Sequence, residues 1–157
     1  MTQTTKFLCE AIELAYGNLE KGGRPFGAVL VKDGEVIASG VNEILTTNDP
    51  TAHAELLAVR EASRKLGSPN LAGTTMYASG NPCPMCMAAM RMAGVSEVVF
   101  AYSNDDGEPF GLSTAAVYAD LAKPFAEQSM KIRYEPTRLD TRPDIYVEWK
   151  RRQDQKA

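Results

Sequence analysis

Apolar side chains recur at helical spacing between Lys6 and Glu20, at Leu8, Ile12, Ala15 and Leu19, and Gly22-Gly23 follows where a helix end favours glycine. This pattern predicts a first amphipathic helix. The period then changes. Gly27 to Val31 is a short apolar run, Asp33-Gly34 is a two-residue hairpin signal, and Val36-Ile37-Ala38 resumes beyond it, so two antiparallel strands are expected. Asn48-Asp49-Pro50 predicts the start of a second helix, with Asp49 capping its free N–H groups and Pro50 placed where a missing donor costs nothing. The first turn of that helix holds His53 and Glu55. Leu56, Leu57, Val59, Ala62 and Leu66 form its core side, and Gly67 stops it.

Thr74 to Ser79, rich in β-branched and aromatic residues, reads as a third strand, and Pro82 breaks the chain after it. Pro84 suits a first helical position, which puts Cys86 one turn beyond Cys83 on a helix running to about Ala93 and stopped by Gly94. Val95 to Tyr102 is the most apolar run and predicts a strand in the middle of the sheet, buried on both faces. Beyond it come a loop at Asn104-Asp105-Asp106-Gly107, a helix capped by Ser113 and ending at Lys123 before Pro124, and a last strand at Lys131 to Tyr134. A C-terminal helix opened by Pro143 carries Tyr146 and Trp149, and its polar end from Lys150 is expected to fray. The order of elements alternates, so the fold class is α/β: a three-layer α/β/α sandwich with a mixed five-stranded sheet, residues 1–157 forming a single domain.

Composition narrows the function. A chain of 157 residues with 44% hydrophobic and 24% charged residues is an ordinary globular protein, which excludes a disordered or collagen-like chain. Seventeen Lys and Arg against twenty Asp and Glu leave a net charge of −3, which weighs against a nucleic-acid partner held by phosphate neutralisation. No stretch approaches the ~20 apolar residues of a membrane span, and none follows the start Met-Thr-Gln-Thr-Thr-Lys, so a cytoplasmic location is expected. Three cysteines, an odd number, suit a reducing compartment better than a disulfide framework.

The chemistry lies in two short stretches, Thr51-Ala52-His53-Ala54-Glu55 and Pro82-Cys83-Pro84-Met85-Cys86. His53 is the only histidine. Its imidazole and the Cys83 and Cys86 thiolates can close three corners of a tetrahedral zinc site, leaving the fourth for water. Both thiols start a helix, a place that favours thiolate. Glu55, two residues from the histidine, is the proton carrier that such a water needs. Alone, a C-x-x-C is equally a redox pair or half of a structural zinc site; the upstream H-x-E at a helix start tells against both. Cys9 could close a fourth corner, but its neighbours Leu8, Ala11 and Ile12 read as those of a buried, inert thiol.

H-x-E followed by P-C-x-x-C resembles the cytidine deaminase-like superfamily of zinc deaminases. Over about residues 5–103 the chain is similar to small bacterial guanine deaminases, with tRNA adenosine deaminases next. The pieces that carry this are Pro25-Phe26-Gly27-Ala28-Val29, Gly40-Val41-Asn42, Asn48-Asp49-Pro50 running into the His53 motif, and the Cys83 motif. The resemblance implies one zinc ion per chain, a small nucleobase or nucleoside as substrate, guanine to xanthine foremost, and substrate contacts from Phe26, Asn42 and the amide of Ala54. It also implies a homodimer or larger assembly in which loops and the C-terminal helix of one copy help close the other's pocket, with Tyr146 and Trp149 suited to an aromatic-rich contact. The chain departs from the guanine pattern in three places. Asn81 stands where a glutamate usually precedes Pro-Cys, Gly111-Leu112-Ser113-Thr114 replaces a Gly-Phe-Asp-Asp segment, and Gln155-Lys156-Ala157 lacks the terminal aromatic. A cytosine-type or other amino-heterocycle, a tRNA adenosine and a non-catalytic zinc scaffold therefore stay open as alternatives.

Overall fold

A hydroxyl starts the first helix of the computed structural model, which describes all residues 1–157. Thr2 Oγ1 accepts the Thr5 N–H at 3.1 Å, and α1 (Gln3–Glu20) runs from there. Its buried residues are Phe7, Ala11 and Ala15, so of the expected Leu8, Ile12, Ala15 and Leu19 only Ala15 is fully inside. Small alanines win the inner face because the helix lies so close to the sheet that a Cβ on Gly27 would meet Ala11 O at 2.4 Å. Cys9 falls off that inner stripe and is exposed, not buried as its neighbours suggested.

Strands β1 (Gly27–Lys32) and β2 (Glu35–Val41) form the expected hairpin, with Asp33 and Gly34 both at positive φ, 51° and 79°. Strand β3 (Thr74–Gly80) pairs antiparallel with β1, and β4 (Glu97–Tyr102) pairs parallel with β3, giving the order β2-β1-β3-β4. The sheet is mixed as expected but has four strands, because Lys131 to Tyr134 are exposed and belong to no strand. β4 is correspondingly an edge strand and not the central one its apolar run suggested, with Phe100 40% and Tyr102 55% exposed.

Residues of β1 alternate between two layers, as the pleat requires. Val29 and Val31 pack with Phe7 under α1, where the Phe7 and Tyr77 rings lie 5.1 Å apart. Ala28 and Leu30 face the opposite side with Met76, Leu71 and Met90, under α3 (Ala54–Leu66) and α4 (Pro84–Ala93). That is a three-layer α/β/α arrangement. The inner stripe of α3 is again made of alanines, Ala54, Ala58 and Ala62, while Leu66 is 39% exposed. Gly40 explains the choice, since a Cβ there would sit 2.3 Å from Ala54 O. Both helices end as expected, with Gly67 and Gly94 in the left-handed conformation at their C-caps.

The start of α3 differs from expectation. Asp49 Oδ1 accepts the Thr51 N–H at 2.8 Å and the Thr51 hydroxyl at 2.7 Å, a local turn that includes Pro50 and follows the short α2 (Ile44–Thr47). Asp49 thus serves the turn, and His53 itself is the extended N-cap residue of α3. Past β4, Ser103 and Asp106 make a reciprocal capping box, so the expected loop is a single helical turn, α5 (Asn104–Gly107). Helix α6 (Ala115–Leu121) has Thr114 at its N-cap position, with Ser113 Oγ accepting the Ala115 N–H at 3.1 Å.

The chain divides into two units, Met1–Ala122, described so far, and Lys123–Ala157. The second contains a 3-10 turn at Phe125–Glu127 and α7 (Ile145–Lys156), started by Asp144 Oδ1 accepting the Tyr146 N–H at 3.0 Å. The helix continues past Lys150, where Glu148 pairs with Arg151 and Arg152 and Lys150 pairs with Asp154.

Candidate metal and active site

Three side chains from the two motifs meet where α3 and α4 begin. His53 Nδ1 lies 3.4 Å from Cys83 Sγ and 3.5 Å from Cys86 Sγ, and the three atoms all fall within 4.8 Å of one another. Tetrahedral zinc with usual bond lengths needs ligand atoms about 3.6 to 3.8 Å apart, and both imidazole-to-thiol distances are close to that. The helix starts explain the meeting. His53 and Cys83 are both extended N-cap residues, with ψ of 155° and 167°, and Cys86 N–H donates back to Cys83 Sγ at 3.4 Å.

The electrostatics suit a cation as well. The Cys86 thiol, the His53 ring and the Cys86 N–H beside Cys83 hold its thiol down to about 4, deep in thiolate range. Cys86 goes the other way, raised by the Cys83 thiolate next to it and by burial, so without metal the helix start favours one thiolate and not two. His53 is raised by its bond to Cys83. Glu55 is only 5% exposed, and burial pushes its carboxyl up, with the Cys86 thiol pulling it partly back. A carboxyl that keeps its proton easily, next to a cation site, suits a group that must both take and return protons.

The residues implied as substrate contacts sit at the same end of the sheet. Phe26 is half-buried just before β1, and its ring lies against Gly80, where a Cβ would come within 3.1 Å of it. Asn42 is buried, its N–H donates to Phe26 O at 3.1 Å and its Oδ1 accepts the Ile44 N–H at 3.1 Å, which leaves the NH2 as the group it can offer. Ala54 is the buried first residue of α3, so its N–H is one of the helix-start amides without a helical acceptor. Cys9, on α1, is no part of the cluster.

Two positioning groups carried no signal in the sequence. Asn18 on α1 donates to Arg24 O at 2.7 Å and Asn42 O at 2.8 Å, tying together the two backbone segments that present Phe26 and Asn42. Tyr118 on α6 donates its hydroxyl to Pro82 O, next to the first cysteine. Backbone carbonyls as acceptors leave no trace in a residue pattern. The segment Gly111 to Thr114 contributes no carboxylate; Thr114 N–H instead donates to Asn104 Oδ1 at 3.1 Å.

Residues 1–102 match the cytidine and deoxycytidylate deaminase zinc-binding region. The chain is 42% identical to guanine deaminase of Bacillus subtilis (strain 168) over 125 residues, covering 79% of this chain and 80% of the relative. It is 37% identical to the tRNA-specific adenosine deaminase of Aquifex aeolicus (strain VF5) over 130 residues, 83% of each. The X-ray structure of guanine deaminase from Bacillus subtilis superposes with a TM-score of 0.83 over 94% of this chain and 93% of that one, at 37% identity. A zinc-fitting His-Cys-Cys cluster with a buried glutamate, on a fold shared at that level, has one conclusion: the chain belongs to the cytidine and deoxycytidylate deaminase family of zinc-dependent hydrolases acting on C–N bonds.

Proposed function

We propose that this deaminase acts on guanine, with His53, Cys83 and Cys86 holding the zinc, Glu55 moving the protons, and Phe26, Asn42 and Ala54 holding the base. The observation that carries the reading is the convergence of three ligand atoms within 4.8 Å of one another, with the buried Glu55 carboxyl, 5% exposed, next to the Cys86 thiol. Zinc, when bound, supplies the Lewis acid that makes a water nucleophilic near neutral pH. Glu55 would accept the proton that a water loses on adding to the amino-bearing ring carbon, and would pass it to the adjacent ring nitrogen. The second proton goes to the departing amine, so guanine and water leave as xanthine and ammonia. Phe26 offers a face to the ring. The Asn42 NH2 and the Ala54 N–H are both donors, so they select a ring edge with two acceptors, which guanine has.

The whole of residues 1–157 acts as one deaminase domain on this reading, and the working form is a homodimer. Support for the dimer comes from the apolar side chains left exposed on both units, among them Phe100, Tyr102, Tyr146 and Trp149. Three free cysteines support a reducing compartment, the cytoplasm. No helix is long and apolar enough to cross a membrane.

An ammonia-release screen of guanine, adenine, cytosine, their nucleosides and a tRNA anticodon stem-loop tests the substrate, with Glu55→Ala as the blank. Guanine is expected to be consumed, and Glu55→Ala to keep zinc while losing more than ~10²-fold in rate. Guanine left intact while cytosine releases ammonia would sink guanine and keep Glu55. Turnover of the stem-loop alone would move the substrate to RNA, as in the adenosine deaminase relatives.

A further inference from the structure

The Pro82 carbonyl is the acceptor on which the first thiol ligand hangs. Pro82 is fully buried, and its oxygen takes two side-chain donors, Asn81 Nδ2 at 3.0 Å and the Tyr118 hydroxyl. A carbonyl oxygen has two lone pairs, so both are in use. That oxygen shares a rigid peptide plane with the Cys83 nitrogen. Two donors on it therefore stop the plane from turning, and with it the position of Cys83 Cα and the direction of Sγ towards His53.

The two donors are anchored on different parts of the fold. Asn81 N–H donates to Tyr102 O at 2.8 Å, at the end of β4. Tyr118 is half-buried on a helix most of whose other residues are exposed, and that helix is tied at its start to α5 through Thr114 N–H and Asn104 Oδ1. Neither anchor passes through α3 or α4. The start of α4 is thus held through the Pro82 carbonyl by groups that are not among the three candidate ligands.

We infer that Asn81 and Tyr118 form a clamp on the Pro82 carbonyl that orients Cys83 as a metal ligand, and so act as positioning residues for the deamination. The clamp gives a role to Asn81 and makes α6 part of the ligand support. It rests on the reading of Cys83 as a ligand, and Cys83→Ser tests that reading separately. Groups that orient a ligand from behind are expected to contribute 10- to 100-fold, roughly, in metal affinity.

The test uses the full chain with Tyr118→Phe, Asn81→Asp and the pair together. Asn81→Asp keeps the size and replaces the donor by an acceptor. Zinc affinity is read by competition with a chromophoric chelator, the ligand geometry by the visible spectrum of the cobalt(II) form, and folding by thermal unfolding of the metal-free protein. Each single variant is expected to release zinc about 10- to 100-fold more readily and to shift the cobalt bands, with kcat falling more than KM changes. The double variant should lose less than the product of the singles, because both donors serve one oxygen. Zinc affinity within about twofold of the parent in Tyr118→Phe, with unchanged cobalt bands, overturns the clamp even if the melting temperature falls. If Cys83→Ser holds zinc as the parent does, the ligand set falls and the clamp with it.

Discussion

The two units of this chain place their apolar side chains in opposite ways. In Met1–Ala122, Leu30, Leu71, Met76 and Met90 are fully buried between the sheet and its helices, and even a carboxyl, Glu55, is taken inside. In Lys123–Ala157 no residue is buried, and Phe125, Tyr134, Tyr146 and Trp149 are 59 to 83% exposed. The first unit holds itself together by packing. The second is a helix held by its own cap and ion pairs, with an apolar surface of the kind that a partner covers. The three candidate zinc ligands all lie in the first.

Removing a metal ligand is the most severe way to test that separation. Cys86→Ser and His53→Ala are expected to lose zinc and all measurable ammonia release, while Cys9→Ser keeps both, since Cys9 is exposed on α1. Metal analysis of the purified variants reads the result. Zinc lost equally from Cys9→Ser would spread the site beyond the three residues that the geometry assembles.

Packing is the next difference to break. Leu30 is fully buried between β1 and the α3–α4 layer, so Leu30→Ala should cost about 2 to 5 kcal/mol in urea unfolding. Tyr134→Ala, at a residue 83% exposed, should stay within about 0.5 kcal/mol at concentrations where the chain is monomeric. Equal costs would mean that the second unit has a core after all. Between these extremes lies Gly40. A methyl there would press on Ala54 O at 2.3 Å, so Gly40→Ala should cost roughly 1 to 3 kcal/mol and, by shifting the start of α3, weaken zinc binding too.

The same contrast explains what the sequence made legible. The site was readable because zinc chemistry needs particular side chains at short spacings: His53 and Glu55 two apart, Cys83 and Cys86 three apart, each pair beside a helix start. Hairpin and helix ends were readable for a similar reason, as Asp33-Gly34, Gly67 and Gly94 are local conformational needs. The inner faces of α1 and α3 were read only in part: Ala15 and Ala62 lie inside as expected, but Ala11, Ala54 and Ala58 were missed, because alanine looks neutral in a hydrophobic pattern while close approach to Gly27 and Gly40 makes it the preferred core residue. The position of β4 in the sheet and the absence of a strand at Lys131 to Tyr134 are set by what lies alongside them, which no local run of residues encodes. Tyr118 and Asn18 act on backbone oxygens far along the chain and share the same invisibility.

The smallest expected effect belongs to Glu148, on the α7 helix of the second unit. Its carboxylate accepts from Arg151 at 2.6 and 2.8 Å and from Arg152 at 2.9 Å, which holds it down to about 2. A folded-state value below the unfolded one means that the unfolded chain binds more protons in between, so the contribution is present above the ordinary carboxylate range and is lost as pH falls towards 2. All three side chains reach solvent, so the contribution is small and screened by salt. Glu148→Gln should therefore lower the helical circular dichroism signal slightly at neutral pH, remove its acid-dependent part, and leave zinc content untouched. Loss of zinc on this substitution would tie the two units together energetically and erase the distinction between the unit that packs and the unit that is held by charge.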